Sequence, residues 1–241
     1  MQSALPIALS AQVAMEKRLE TISNNIANSR TAGFRAEEVK FETFLSEASA
    51  NPSAFVSKGE TYISTKVGEL TQTGNPLDMA VTGNAWFAIQ TPNGTVYTRD
   101  GRMRINEEGQ VQTLNGESFL DAGGAPILVD PAGGGISVAR DGMITQGRGQ
   151  IGAIGLFEMA ANAKLQRAGT SGVVPDVAAT PVLDFNAAGV MQGFTEGSNV
   201  NPVLEITRLI AVQRAFESAA NLITKSEGSL DEAVKTLGAT S

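Results

Sequence analysis

The sequence predicts an α+β protein, with long N- and C-terminal helices pairing as a coiled-coil-like tube domain, a central antiparallel β-rich domain and an extended connector. Three observations carry this prediction. Apolar residues recur at alternating spacings of 3 and 4 near each terminus, proline is absent from residues 7–51 and from 203 onward, and all but three of the 26 glycines (Gly33, Gly228 and Gly238) lie within residues 41–197. Charge divides in the same way. Residues 1–40 and 198–241 are neutral together, so the whole net charge of -7 sits in the middle.

The N-terminal segment, residues 1–35, reads as one helix and its exit. Met1, Leu5, Ala8, Gln12, Met15, Leu19, Ile22 and Ile26 share one seam at heptad spacing. The predicted helix covers about residues 4–28. Pro6 is compatible only with a helix that begins nearby, and the turn formers from Ser29 to Gly33 end it. Residues 36–75, rich in Ser, Thr, Glu and Lys, read as an extended connector.

Residues 76–197 read as the β-rich domain. Asn93-Gly94, Asp100-Gly101, Asn115-Gly116, Gly123-Gly124 and Asp141-Gly142 separate short apolar runs such as Trp86–Ile89, Thr95–Thr98, Met103–Ile105 and Ile151–Phe157. Asn-Gly and Asp-Gly supply the positive φ that tight hairpin turns need. On this reading both Arg99-Asp100-Gly101 and Arg140-Asp141-Gly142 are hairpin turns.

Residues 198–241 repeat the helical design. Leu209, Val212, Phe216, Ala219, Ile223, Ser226, Leu230, Ala233 and Leu237 keep the 3,4 spacing through four heptads. Asn201 before Pro202 is an N-cap followed by proline at N1. The predicted helix runs from about 202 to 237, roughly 50 Å. Gly228 is its weak point, and Ser229 with Glu232 offers a capping box that could restart it.

Chemistry is nearly absent. The chain has no Cys and no His, which removes disulfides, cysteine nucleophiles, Ser-His-Asp triads and nearly every transition-metal site. No phosphate loop, dinucleotide fingerprint or nucleophile elbow occurs, and neither cofactor nor metal is expected. Gly133-Gly134-Gly135 lacks the helix and lysine of a phosphate cradle and reads as a loop. Glu37-Glu38 and Glu107-Glu108 read as solvated faces, although paired carboxylates leave glycoside hydrolysis as an alternative. Trp86, the sole tryptophan, reads as core rather than as a sugar platform. An acidic chain does not suit nucleic acid. No stretch reaches the ~18–20 apolar residues of a membrane span, and with Lys17 the first cation the N-terminus reads as mature sequence rather than a secretory signal.

The signatures themselves are informative. Asn24-Asn25-Ile26-Ala27-Asn28 with Thr31-Ala32-Gly33-Phe34-Arg35 resembles the N-terminal signature of bacterial flagellar rod and hook proteins. Glu196-Gly197-Ser198-Asn199-Val200-Asn201, followed by Glu205, Gln213-Arg214 and Phe216-Glu217, resembles the C-terminal one. Gly68 to Gly74, Leu77-Asp78, Gly83 to Ile89 and Tyr97 to Arg102 resemble family patterns in order. Departures are small: Ala32 stands where many members carry Pro, and Phe34 and Phe216 where many carry Tyr. The length excludes the hook protein with its extra domains, and the β-rich centre excludes the smallest rod subunits. The wording of residues 1–45 and 55–89 is more similar to the proximal than to the distal rod members.

The resemblance implies a non-enzymatic, torque-transmitting subunit of the periplasmic rod, whose partners are other rod proteins and copies of itself. Its terminal helices would form the inner tube, through Met15, Leu19, Ile22, Ile26, Leu209, Phe216, Ile223 and Leu230, with the β domain outside. Asn24, Asn25, Asn28, Ser198, Asn199 and Asn201 would cap helix ends and bond backbones, within one subunit or between subunits; Gly33 and Phe34 complete the signature. Phe41 and Leu45 resemble the apolar pair that early flagellar substrates present to the export gate, or else anchor the connector. A peptidoglycan-active carboxylate hydrolase and a secreted adhesin remain alternatives that leave the paired terminal signatures unexplained.

Overall fold

The computed structural model describes residues 4–46, 53–57 and 59–238. The chain forms two compact units, one of residues 1–27, 37–62 and 201–241, the other of residues 28–36 and 63–200. It crosses between them after Ala27, Ala36, Tyr62 and Val200.

The first unit contains helix α1, Ala4–Ala27, and helix α2, Pro202–Gly238. Helix α2 begins at the predicted cap. The Asn201 Oδ1 accepts the Leu204 N–H at 3.1 Å, and Pro202 takes a first-turn position whose N–H has no intrahelical acceptor. The helix runs unbroken through Gly228. α1 and α2 pack together. Leu209, Val212, Phe216, Ala219 and Ile223 are buried or half-buried along one seam of α2, while the side chain of Leu230 lies outside the described residues.

On α1 the covered arc is wider than one seam. Ile22 is buried, and Met15, Leu19 and Ile26 are half-buried, but Ala14, Thr21 and Asn25 are buried as well. The reason is a second set of neighbours: α1 also packs against the strands Glu37–Lys40 and Ser53–Val56. These belong to the stretch read as a connector. It is extended, and its strands are paired: Glu37–Lys40 with Glu60–Ile63, Thr43–Ser46 with Ser53–Val56, and Leu70–Gln72 with Phe194–Glu196.

The second unit is built on an eleven-stranded antiparallel sheet, with a three-stranded sheet of Ile136–Val138, Met143–Gln146 and Gly149–Ala153 beside it in sequence. The strand Ala85–Thr91 is its hub, pairing with Gly94–Thr98 on one edge and with Ser118–Phe119 and Leu156–Glu158 on the other. Its sequence Ala-Trp-Phe-Ala-Ile lacks polar alternation because both faces are covered. Phe87 and Ile89 enter the main core with Met79, Val96, Met103, Phe119, Ile144 and Leu156, and Phe87 meets Phe119 edge to face at 5.8 Å. Trp86 enters a separate cluster with Ile63 and Val173.

Asp141-Gly142 closes a hairpin between Ile136–Val138 and Met143–Gln146, with Gly142 at φ 82°. Arg99-Asp100-Gly101 does not, which corrects the sequence reading. The strands that flank it, Gly94–Thr98 and Gly101–Ile105, pair with other neighbours. The physical reason is Arg99, which turns into the interior with no exposed surface. No helix among the described residues is long and apolar enough to cross a membrane.

Gly228 lies in regular helix, and a Cβ there would meet nothing within 4 Å. Gly228→Ala is expected to stabilise α2 by about 1 kcal/mol, read as a higher midpoint of helical circular dichroism on urea titration.

Candidate functional site

The two terminal signatures build two polar nodes, one in each unit. In the second unit the node is Glu196, at the end of the strand Phe194–Glu196. Its fully buried carboxylate is shared. Oε1 lies 2.7 Å from Nη2 of Arg35 and accepts the Gly68 N–H at 3.0 Å, while Oε2 accepts Nη1 of Arg99 at 3.0 Å. Arg99 also donates to the carbonyls of Val81 at 3.1 Å and Gly83 at 2.6 Å.

The Arg35–Glu196 contact has ion-pair distance without hydrogen-bond alignment. Among the described residues, Nε and Nη1 of Arg35 and Nε of Arg99 have no hydrogen-bond partner. Both guanidinium groups instead lie over the Trp86 ring, Arg35 at 5.5 Å and Arg99 at 5.3 Å from its centroid. The negative face of the indole offsets part of the charge. Two buried cations share one anion, so the node is net positive. Loss of water outweighs the attraction of Glu196 and, with repulsion from Arg35, lowers the pKa of Arg99 to about 10. Desolvation lowers Arg35 too, against the pull of Glu196. Both guanidinium groups still carry their charge at neutral pH.

Residues 28–36 are fixed to this node through the backbone. The Gly33 N–H donates to the Glu196 carbonyl at 2.8 Å. No side chain fits at Gly33: its φ is 67°, and a Cβ would fall 2.2 Å from the Asp100 nitrogen. Asn199 accepts the Ala36 N–H at 2.7 Å and donates to the Lys66 carbonyl at 2.8 Å. Arg167 stacks 4.3 Å over the buried Phe34 ring and donates to the Arg35 carbonyl at 2.5 Å. Ser198 Oγ accepts the Val200 N–H at 3.2 Å, and Asn28 Oδ1 accepts the Thr31 hydroxyl at 3.3 Å.

The first unit's node is Asn25. Its Oδ1 accepts the Glu37 N–H at 2.9 Å and its Nδ2 donates to the Glu37 carbonyl at 2.8 Å. A side-chain amide thus imitates the paired groups of a strand. Nδ2 also lies 3.5 Å from Oε2 of the buried Glu205, whose Oε1 accepts Arg208 at 2.6 Å. Asn24 is half-buried. Phe41 is half-buried, with its ring where a Cβ on Gly59 would fall. The backbone of Leu45 pairs opposite Ala54, and its side chain lies outside the described residues.

Sequence reasoning valued the asparagines and passed over Arg35, Arg99, Glu196 and Glu205. A signal was available: the N-terminal signature ends on a cation and the C-terminal one begins on an anion. The arrangement holds backbone. Among the described residues no three His, Asp or Glu side chains gather as metal ligands, and Glu107 and Glu108 are exposed.

Asn25, Arg35, Arg99, Glu196 and Glu205 all fall within matches to known families. A model described as flagella basal body rod protein matches residues 5–35, one described as flagellar hook protein FlgE/F/G D1 domain matches 80–146, and one described as flagellar basal body rod FlgEFG protein C-terminal matches 191–236. The chain belongs to the flagellar basal-body rod protein family. It is 51% identical to the flagellar basal-body rod protein FlgF of Mesorhizobium japonicum over the full length of both chains. It is 48% identical to that named FlgF in Rhizobium meliloti over 99% of each, and 30% identical to that named FlgG in Bacillus subtilis over 97% of this chain and 98% of that one.

Glu196→Gln leaves two buried cations without a counter-ion and is expected to cost ~3–5 kcal/mol. Denaturant titration followed by Trp86 fluorescence measures it. Asn25→Ala removes both hydrogen bonds to the half-buried Glu37 backbone and is expected to cost about 1–3 kcal/mol, read from helical circular dichroism.

Proposed function

We propose that the chain is a non-enzymatic structural subunit of the flagellar proximal rod, joining copies of itself and other rod proteins into a helical shaft that transmits torque. The observation that carries this reading is the outer surface of α2. Leu209 and Val212 face inward, yet Val203, Leu204, Ile206 and Ile210 are exposed, Val203 by 73%, and Leu222 follows at 65%. On α1, Leu9 and Val13 are exposed as well. Apolar side chains left exposed outside the inward seam are a surface for neighbouring subunits to cover. Contacts that differ at the two ends of a subunit do not close, and they build an open helical polymer.

Greater identity to relatives named FlgF than to those named FlgG supports the proximal position. In this arrangement the α1 and α2 helices line the tube and the β-rich unit lies outside. The subunit reaches the periplasm through the flagellar export gate, which reads Phe41 and Leu45.

Ile206→Asp combined with Ile210→Asp is expected to leave helical content and secretion unchanged while the subunit disappears from purified basal bodies. Incorporation at the normal level rejects the assembly reading. Phe41→Ala with Leu45→Ala is expected to reduce secretion at least tenfold with the purified chain still folded. Normal secretion of that variant assigns the pair to packing alone.

A further inference from the structure

Glu196 does more than neutralise charge. Five groups from three separate stretches converge on it: Arg35 and the Gly33 N–H, the Gly68 N–H and the strand Leu70–Gln72, and Arg99. All of these stretches precede it, Arg99 by 97 residues. The hub hairpin has no such dependence, although its first strand later also takes Leu156–Glu158 as a neighbour. Ala85–Thr91 and Gly94–Thr98 form a local hairpin, and Val111–Thr113 and Ser118–Phe119 another. Local pairings of this kind close early because little chain entropy is lost, and long-range ones close late.

We propose that Glu196 is the closing residue of the second unit. The hub hairpin of Ala85–Thr91 and Gly94–Thr98 assembles first, with Arg35 and Arg99 still solvated, and the two cations are drawn onto Trp86 only when the strand Phe194–Glu196 docks. Before that step, bringing both guanidinium groups to one ring places like charges together with no anion. A chain made N-terminus first therefore keeps residues 28–36 undocked until Glu196 has arrived. The inference concerns the order of folding and holds whatever the finished subunit assembles with.

Refolding of the unaltered full-length chain tests it without any variant. Pulsed hydrogen exchange is expected to show the amides of the strand Ala85–Thr91 protected first. The amides of Gly33 and Gly68, which bond to the carbonyl and carboxylate of Glu196, are expected to follow in a later phase. Protection of Gly33 and Gly68 together with or ahead of the hub strand overturns the proposal. In the full-length Glu196→Gln variant, stopped-flow Trp86 fluorescence is expected to show unfolding accelerated ~100-fold or more, with the folding rate within about threefold of the parent. A folding rate slowed in proportion to the lost stability would place Glu196 in the nucleus and equally overturn it.

Discussion

The second unit depends on one buried carboxylate. Glu196 sits fully buried between Arg35 and Arg99, and the groups it binds come from parts of the chain far apart in sequence. The arrangement is not an economical source of stability. Desolvation lowers the pKa of both arginines, so the attraction does not fully repay burial. Ion pairs of this kind discriminate against alternatives: any packing that misplaces one partner strands a charge in an apolar core. The node therefore specifies which segments meet more than it strengthens their meeting.

Around it, backbone geometry adds a second layer of selection. Gly33 has no space for a methyl group, and at Gly68 a Cβ would fall 2.0 Å from the Gly197 carbonyl oxygen. Asn199 bridges Ala36 and Lys66. Short residues with forked polar groups recur because the backbones approach too closely for anything longer.

Much of this was legible in the sequence and some of it was not. The ends of α2 could be read because Asn201 and Pro202 act locally, and the inward seam from Leu209 to Ile223 because helical periodicity is a property of one element. α1 was harder. Its burial spreads to Thr21 and Asn25 because strands as well as α2 cover it, and no periodicity within α1 announces a second neighbour. Arg99 was misread for a related reason. Arg-Asp-Gly carries the composition of a turn, and whether it is one depends on which strands lie beside it. The pairing of Arg35 with Glu196 lay across the two signatures, where spacing rules have no reach.

Asn25 has a mechanical implication. Its amide completes the polar groups of Glu37 as a neighbouring strand would, so the last turn of α1 serves as a rung for the strand Glu37–Lys40. Rotation of that helix about its own axis is passed to the strand through two short, directional bonds rather than along the intervening backbone, as a crank passes its turn to an arm.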